Sequence, residues 1–450
     1  MTDDCANAEQ RWSTLFEQGR MLGLSAEQVQ LWPRELCRLV ADAKAQLPRT
    51  SLLRRCLLNL PQAVTQRLAP YVAVERGLIR LDGCNLDTAF PLLVLPERTG
   101  GISNSFIMYG RLLGKQYVVI KLALLRRDAN QDAANNSLQV EREIYEKIIN
   151  SLILCGYTPH VVSYIGTLAC DSFAQTTSPA WRQLQQQLRV PHISTIYDTK
   201  RIRAMVTEHA DGNKLTTILQ SIGPTQANFN EFAAVLFQLF FTLQVFAEVG
   251  LAHNDLHSDN VMVVEATEQP ETNYYQVVDK IYRVTTRMQV HIFDFDRSAK
   301  LATTFDDTQI INNELVGHCA RFGQCNAINT NVELYVLAAS IFAVAKSNNP
   351  MLHRFIIDVV PEDLLTRPSA QNVVNAVPGS TLVWPGRLCT CNEEWCATCS
   401  IVRDPRIKSY KEILTMREFD QFVVNNLPAG SFIWRLPSQA STETWKALVK

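Results

Sequence analysis

Two spacings of apolar residues alternate along this 450-residue chain. In the first 92 residues Ser25-Ala26-Glu27-Gln28 reads as a capped helix start, and Leu36, Leu39, Val40 and Ala43 recur on one helical face. A helical extension is therefore expected over 1–92. Pro96 and Gly100-Gly101 then punctuate the chain, and short β-type runs follow at 106–109, 117–121, 161–165 and 204–207. A helix through Val140, Ile144, Ile148 and Ile149 falls between the second and third runs. From Leu215 the pattern is mainly helical, broken by short strands at 261–264 and 290–293. The stretches 171–200 and 265–289 read as insertions. Phe232 to Ala252 comes nearest to a membrane span, but Gln238, Thr242, Gln244 and Glu248 interrupt it, so a buried helix is expected there.

Composition narrows the picture. Hydrophobic residues make up 47% and charged residues 19%, the balance of a globular chain long enough for two or three domains. A formal net charge of −1 gives no support to non-specific binding of nucleic acid or anionic lipid. Met1-Thr2-Asp3-Asp4 is acidic and no apolar stretch of signal type follows, so an intracellular, cytoplasmic protein is expected. Twelve cysteines in that setting suggest reduced thiols or metal rather than a disulfide framework.

Candidate chemistry is concentrated in two segments. Asp255 and Asn260 stand five apart in His253-Asn254-Asp255-Leu256-His257-Ser258-Asp259-Asn260, and Asp294 follows a later apolar strand in Phe293-Asp294-Phe295-Asp296. One carboxylate to orient a hydroxyl, with an amide and a second carboxylate to hold magnesium on phosphates, is a sufficient kit for phosphoryl transfer. Asp and Asn are also common turn formers, which accounts for each residue singly and not for the set. Lys121 ends the run Val118-Val119-Ile120-Lys121. A lysine there either sends its head to a polar partner or simply ends an exposed strand.

In order and spacing these segments resemble H-R-D-x-x-x-x-N and D-F-G of the protein kinase superfamily, and the Lys121 run resembles V-A-I-K. The resemblance covers about residues 95–375 and implies an α+β, bilobal kinase-like fold. Its parts would be the helical extension 1–92, a β-rich small lobe 93–211, a helical large lobe 212–385, and a cysteine cluster with tail at 386–450. It makes Asp255 the catalytic carboxylate and Asn260 and Asp294 the magnesium (or manganese) ligands. Lys121 would pair with Glu141 or, as the alternative, Glu143. Within Met205-Val206-Thr207-Glu208-His209-Ala210-Asp211-Gly212, Thr207 stands as gatekeeper and the backbone of Glu208 to Ala210 at the adenine edge of ATP. Val119 and Met262 would close over the ring, while Tyr145, His253 and Phe295 would pack as a hydrophobic spine. Arg367-Pro368-Ser369-Ala370 resembles a helix start late in kinase large lobes.

Several positions depart from the family pattern. His257, counted with the catalytic residues, replaces the lysine of H-R-D-L-K, as in haspin-like and several small-molecule kinases. Together with D-F-D it looks like the kinase-like proteins of large DNA viruses. Gly101, Ser103 and Ser105 would line the phosphates, although Gly100-Gly101-Ile102-Ser103-Asn104-Ser105-Phe106 lacks the later glycines of G-x-G-x-x-G. Asn254 replaces an arginine that pairs with activation-loop phosphates, Asp296 replaces a glycine, and 305–330 has no A-P-E. Glu333 stands where an aspartate usually holds the catalytic loop.

Cys389, Cys391, Cys396 and Cys399 form C-x-C-x4-C-x2-C, a spacing suited to a structural tetrahedral zinc site or else a cluster of free thiols. The leading expectation is an ATP- and magnesium-dependent kinase acting on protein hydroxyls, Ser/Thr before Tyr, with a docking partner recruited through 1–92. The alternatives are a small-molecule phosphotransferase and a pseudokinase scaffold.

Overall fold

The computed structural model describes residues 52–75, 81, 105–112, 116–126, 137–170, 197–266, 269–310, 330–366, 404–438 and 441–449. These form two compact units. One takes the described residues of 1–131, 163–209 and 267–269; the other takes those of 132–162, 210–266 and 270–450.

The first unit is an antiparallel sheet with two helices from the extension. Helices α1 (Leu52–Asn59) and α2 (Gln62–Glu75) precede strands β1 (Ser105–Leu112), β2 (Gln116–Arg126), β3 (Tyr164–Cys170) and β4 (Tyr197–Glu208), which pair in the order β1-β2-β4-β3. Val118, Ile120 and Leu122 alternate into the core, while Val119 and Lys121 turn to the other face. β4 has Ala204, Met205, Val206 and Thr207 all buried, the pattern of a strand covered on both faces. α2 lies against β3, burying Leu68 and Val72 and setting the Tyr71 ring 6.3 Å from that of Tyr164. The strand expected at 161–165 begins later, at Tyr164; Val161 makes an isolated bridge to Ile292 in the second unit's own set of residues.

The second unit opens with α3 (Ser137–Glu143), a π-helical run (Ile144–Ile149) and α4 (Asn150–Leu154). Buried residues recur as 144–145, 148–149 and 152–153. A strict four-residue repeat drifts off one face of a 3.6-residue helix, and the wider π turn keeps it aligned. This helix, expected with the small lobe, groups instead with the second unit, where the C-terminal helix packs against it.

Next come β5 (Asn213–Lys214), α5 (Leu215–Ser221) and the central α6 (Gln226–Val249). Thr225 and Asn228 form a reciprocal cap at its start, and Gly250 at φ 72° ends it in a left-handed conformation. It is the one helix among the described residues long and apolar enough to cross a membrane, and its residues are almost all buried inside the fold. β6 (Leu251–Ala252), β7 (Val261–Glu265), β8 (Glu271–Val277), β9 (Lys280–Thr286), β10 (Met288–Ile292) and β11 (Ala299–Lys300) follow. They give a sheet β10-β7-β5 and a pair β11-β6. At Gly212 any Cβ would lie 2.3 Å from the Val263 carbonyl oxygen, so only glycine lets that strand approach β7.

The expected insertion at 265–289 is an ordered β8–β9 hairpin. Tyr275, Val277, Tyr282 and Val284 alternate inward, with the Phe237 ring 5.3 Å from Tyr275 and 4.9 Å from Tyr282. The C-terminal tail completes its sheet. After α7 (Thr330–Asn348), α8 (Pro350–Val359), α9 (Glu362–Leu365) and α10 (Tyr410–Leu414), strand β12 (Val423–Val424) pairs with β9. Strand β13 (Ile433–Arg435) pairs parallel with β8. Trp434 in β13 and Trp445 in α11 (Thr442–Val449) are fully buried, as their place in a folded tail predicts.

Candidate active site

The β7/β10 pairing builds the site in the second unit. Val261, the first residue of β7, faces Ile292, the last of β10, so the loop entering one strand lies beside the loop leaving the other. Asn260 and Phe293 join them directly, the Phe293 amide donating to the Asn260 carbonyl at 3.2 Å. Within the first loop, the Asn260 side-chain amide donates to the Asp255 carbonyl at 2.9 Å, and the His257 amide to the same oxygen at 3.0 Å. Asp259 does not face this centre; its carboxylate accepts from the Thr216 hydroxyl at 2.7 Å and anchors the loop to α5.

Asp255 lies near two nitrogen groups, the Arg297 Nε at 3.6 Å and the His257 Nε2 at 4.0 Å. His257 Nδ1 accepts the Asp259 amide at 3.2 Å, so the ring proton sits on Nε2. Burial pulls the His257 pKa below its ordinary value, against the opposing pull of Asp259 and Asp294. Asn254 and Asp294 both adopt left-handed backbone, φ 61° and 68°, which Asn and Asp accept at the least cost of any residues but glycine. The Asp294 amide donates to the Tyr145 hydroxyl at 3.1 Å.

A column of rings stands behind the two loops. Phe295 sits 5.1 Å from Tyr145, 4.8 Å from His253 and 5.9 Å from Phe246. That places Tyr145 four residues after Glu141, and Glu141 is buried, whereas Glu143 lies half-buried with Gln139 and Lys147. His253 Nε2 donates to the Phe293 carbonyl at 2.9 Å, and burial drives its pKa down to about 4, so the ring is neutral. Glu333, on α7, accepts the backbone amides of both His253 and Asn254, the latter at 2.9 Å. The glutamate thus holds the start of the Asp255 loop. Burial pushes its pKa up to about 7 despite those two donors.

These two groups give stability opposite slopes with pH. Folded Glu333 keeps its proton to about pH 7 while the unfolded side chain releases it near 4.5, so its contribution is full below 4.5 and lost as pH rises through 7. His253 is neutral in the fold and protonates near 6.5 when unfolded, so its contribution is full above 6.5 and lost as pH falls through 4. Glu333→Gln removes the first slope and leaves the second. Urea midpoints of that variant should climb from pH 4.5 to 6.5 by the equivalent of up to ~3 kcal/mol, whereas the wild-type curve stays flatter.

In the first unit, strand register assembles a separate set. Val119 faces Thr207 across β2/β4 and Lys121 faces Met205, so these four share one face of the sheet. Ile107 and Tyr109 of β1 join that face opposite Lys121 and Val119; the sequence reading had not marked them or Met205. Alternation in β1 was the signal that could have found them. The Glu208 amide donates to the Ser163 carbonyl at 3.0 Å, so it serves the sheet edge. The Glu208 carboxylate is buried, accepting the Ser163 amide at 3.0 Å and the Arg67 guanidinium at 2.5 and 3.1 Å. Arg67 comes from α2, so the extension is part of this unit. Ala210 and Met262 belong to the second unit, Ala210 buried and Met262 opposite His291 and Lys214 on β7.

The donor set fits magnesium. Among the described residues no three His, Cys, Asp or Glu side chains cluster tightly enough to hold a metal alone. Magnesium does not require that, since it is commonly bound by one or two carboxylates together with substrate phosphates and water. The Asn260 amide nitrogen is turned to the Asp255 carbonyl, which leaves its amide oxygen as the ligand atom. Gly101, Ser103, the Ser105 side chain, Arg367 to Ala370, and Cys389, Cys391, Cys396 and Cys399 lie outside the described residues.

No protein-family model matches this chain, and no curated protein is similar to it. Solved structures do match. A MAP kinase from Leishmania major has 13% identity, covering 79% of this chain and 94% of its own, with a TM-score of 0.33. A Plasmodium kinase domain has 12% identity over 76% and 98%, with a TM-score of 0.35. Both are protein kinase domains; at these scores the likeness assigns neither activity nor residue roles.

Proposed function

We propose that this chain is an ATP- and magnesium-dependent phosphotransferase whose acceptor is a protein hydroxyl, serine or threonine before tyrosine. The observation that carries the reading is the joining of the Asp255–Asn260 loop to the Asp294 loop through the β7/β10 register and the Phe293–Asn260 hydrogen bond. Turn formation alone does not require three such residues on two hydrogen-bonded loops. It also does not require a buried glutamate holding one loop and a ring column behind the other.

In this reading Asp255 orients the acceptor hydroxyl and takes its proton late. The hydroxyl oxygen's lone pair forms the new bond to the γ-phosphorus, and the bond to the β,γ-bridging oxygen breaks, its electron pair leaving with ADP. Asn260 and Asp294 would hold magnesium, which offsets charge on the phosphates when bound. Lys121 would meet phosphate oxygens, and Val119 and Thr207 the purine. The long segment 305–330, read from the sequence, favours a protein acceptor over a small one.

A thermal shift with ATP tests the nucleotide half of the reading. Mg-ATP at about 100 times its dissociation constant should stabilise the wild type by about 2.7 kcal/mol. Chelating the metal, or making Asp294→Ala, should remove most of that shift, and Lys121→Ala should weaken it. No stabilisation of the wild type at any Mg-ATP concentration sinks the proposal. Binding with no turnover of any acceptor would assign the chain to the scaffold class instead.

A further inference from the structure

We propose that Arg297 supplies the fixed positive charge that meets the transferring phosphoryl group, so that one loop delivers both the metal carboxylate and a guanidinium to Asp255. This rests on the phosphotransferase reading above and deepens it by naming a further catalytic residue. Charge in a loose phosphoryl-transfer transition state spreads over three equatorial oxygens, and catalysis consists largely of positioning and of meeting that charge. A cation beside the acceptor carboxylate is therefore the group to look for.

His257 occupies one side of Asp255 but cannot supply it. Its Nδ1 accepts the Asp259 amide, so the ring carries a single proton on Nε2 and no net charge. It can donate a hydrogen bond towards Asp255, whose Oδ1 is 4.0 Å away, and nothing more. Arg297 is on the other carboxylate oxygen, with Nε 3.6 Å from Oδ2, and a guanidinium stays charged at every working pH.

Three hydrogen bonds fix the turn that carries it. The Asn254 side-chain amide donates to the Arg297 carbonyl at 3.1 Å. The next residue, Ser298, donates its amide to the Phe295 carbonyl at 3.1 Å and its hydroxyl to the His253 carbonyl at 3.2 Å. Thus the turn after Asp294 is tied to the very loop that carries Asp255. The Arg297 side chain keeps about a third of its surface in solvent, which leaves it open to a substrate.

The test uses the full chain with labelled ATP and a generic acceptor or autophosphorylation as readout. Arg297→Met should lower the plateau kcat by about 10²-fold, with KM for ATP and the melting temperature nearly unchanged. Arg297→Lys should retain most activity. Adding His257→Lys to the Arg297→Met background should restore part of the loss, because it puts a permanent cation back beside Asp255. Lys214→Met, at an exposed position on β5, should behave as wild type.

Three results overturn the inference while sparing the phosphotransferase reading. One is an active wild type with Arg297→Met within about twofold of it. The second is a loss seen in Lys214→Met instead. The third is a kcat profile whose acid limb moves to higher pH while its plateau stays put, which would mean that Arg297 only keeps Asp255 ionised. An inactive wild type overturns both.

Discussion

Asp255→Ala should lower phosphoryl transfer by about 10²–10⁴-fold, the range expected for removing a positioned proton acceptor, without unfolding the protein. The side chain is not a packing element: its carboxylate is neighboured by Arg297 and His257, and the loop is held by backbone bonds that alanine preserves. Those bonds are the His257 amide and the Asn260 side chain on the Asp255 carbonyl, and Glu333 on the amides of His253 and Asn254. Mg-ATP should still stabilise the variant, because the proposed metal ligands, Asn260 and Asp294, are intact. Asp294→Ala should lose turnover and the Mg-ATP shift together. Equal turnover in wild type, Asp255→Ala and Asp294→Ala would exclude the enzymatic account, and single-turnover measurements would separate a defect in chemistry from one in binding.

The largest expected effect on stability lies a few residues further on. Lys300 and Asp306 form an ion pair with both side chains completely buried, Nζ to Oδ2 at 3.2 Å. The ammonium also donates to the carbonyls of Leu301 at 2.7 Å and Thr308 at 3.0 Å, and Asp306 accepts the Thr308 amide at 2.8 Å. Two backbone bonds of 2.8 Å between Lys300 and Ile310 close the loop. Burial lowers the Lys300 pKa, with Asp306 acting against the shift.

Lys300→Met leaves Asp306 as an uncompensated buried charge and should cost about 3–5 kcal/mol. Asp306→Asn should cost less, and the double variant should cost less than the sum, since either change removes the same pair. Urea titrations give these values, and amide exchange should rise over 299–310 in each variant. Additive losses would show that the two side chains are not coupled. Order in this segment is expected from the ion pair and the two Lys300–Ile310 backbone bonds.

Much of the candidate site was legible because its signals are local. Asp255, Asn260 and Asp294 stand out by their spacing along two loops, and the structure joins those loops through the Phe293–Asn260 bond. Other features had no local signature. The 265–289 stretch reads as an insertion from its place between the strands at 261–264 and 290–293, yet it is a hairpin whose Tyr275 and Tyr282 bury against Phe237. Arg67 and Glu208 lie 141 residues apart, and nothing in either segment points to the other. Arg297 and Asp255 lie 42 residues apart, and neither segment by itself points to the other.

Sequence by itself determined which residue types were available for chemistry and the helices and strands with strong local periodicity, because propensity, periodicity and turn formation act within a few residues. Only the tertiary structure decided which of those segments meet. The β7/β10 register set Asn260 beside Phe293, a glutamate on α7 reached the amides of His253 and Asn254, and a turn tied to the Asp255 loop put a guanidinium by Asp255. The physical reason is that such contacts depend on strand register and on burying apolar faces across long stretches of chain, and no short window of sequence contains both partners.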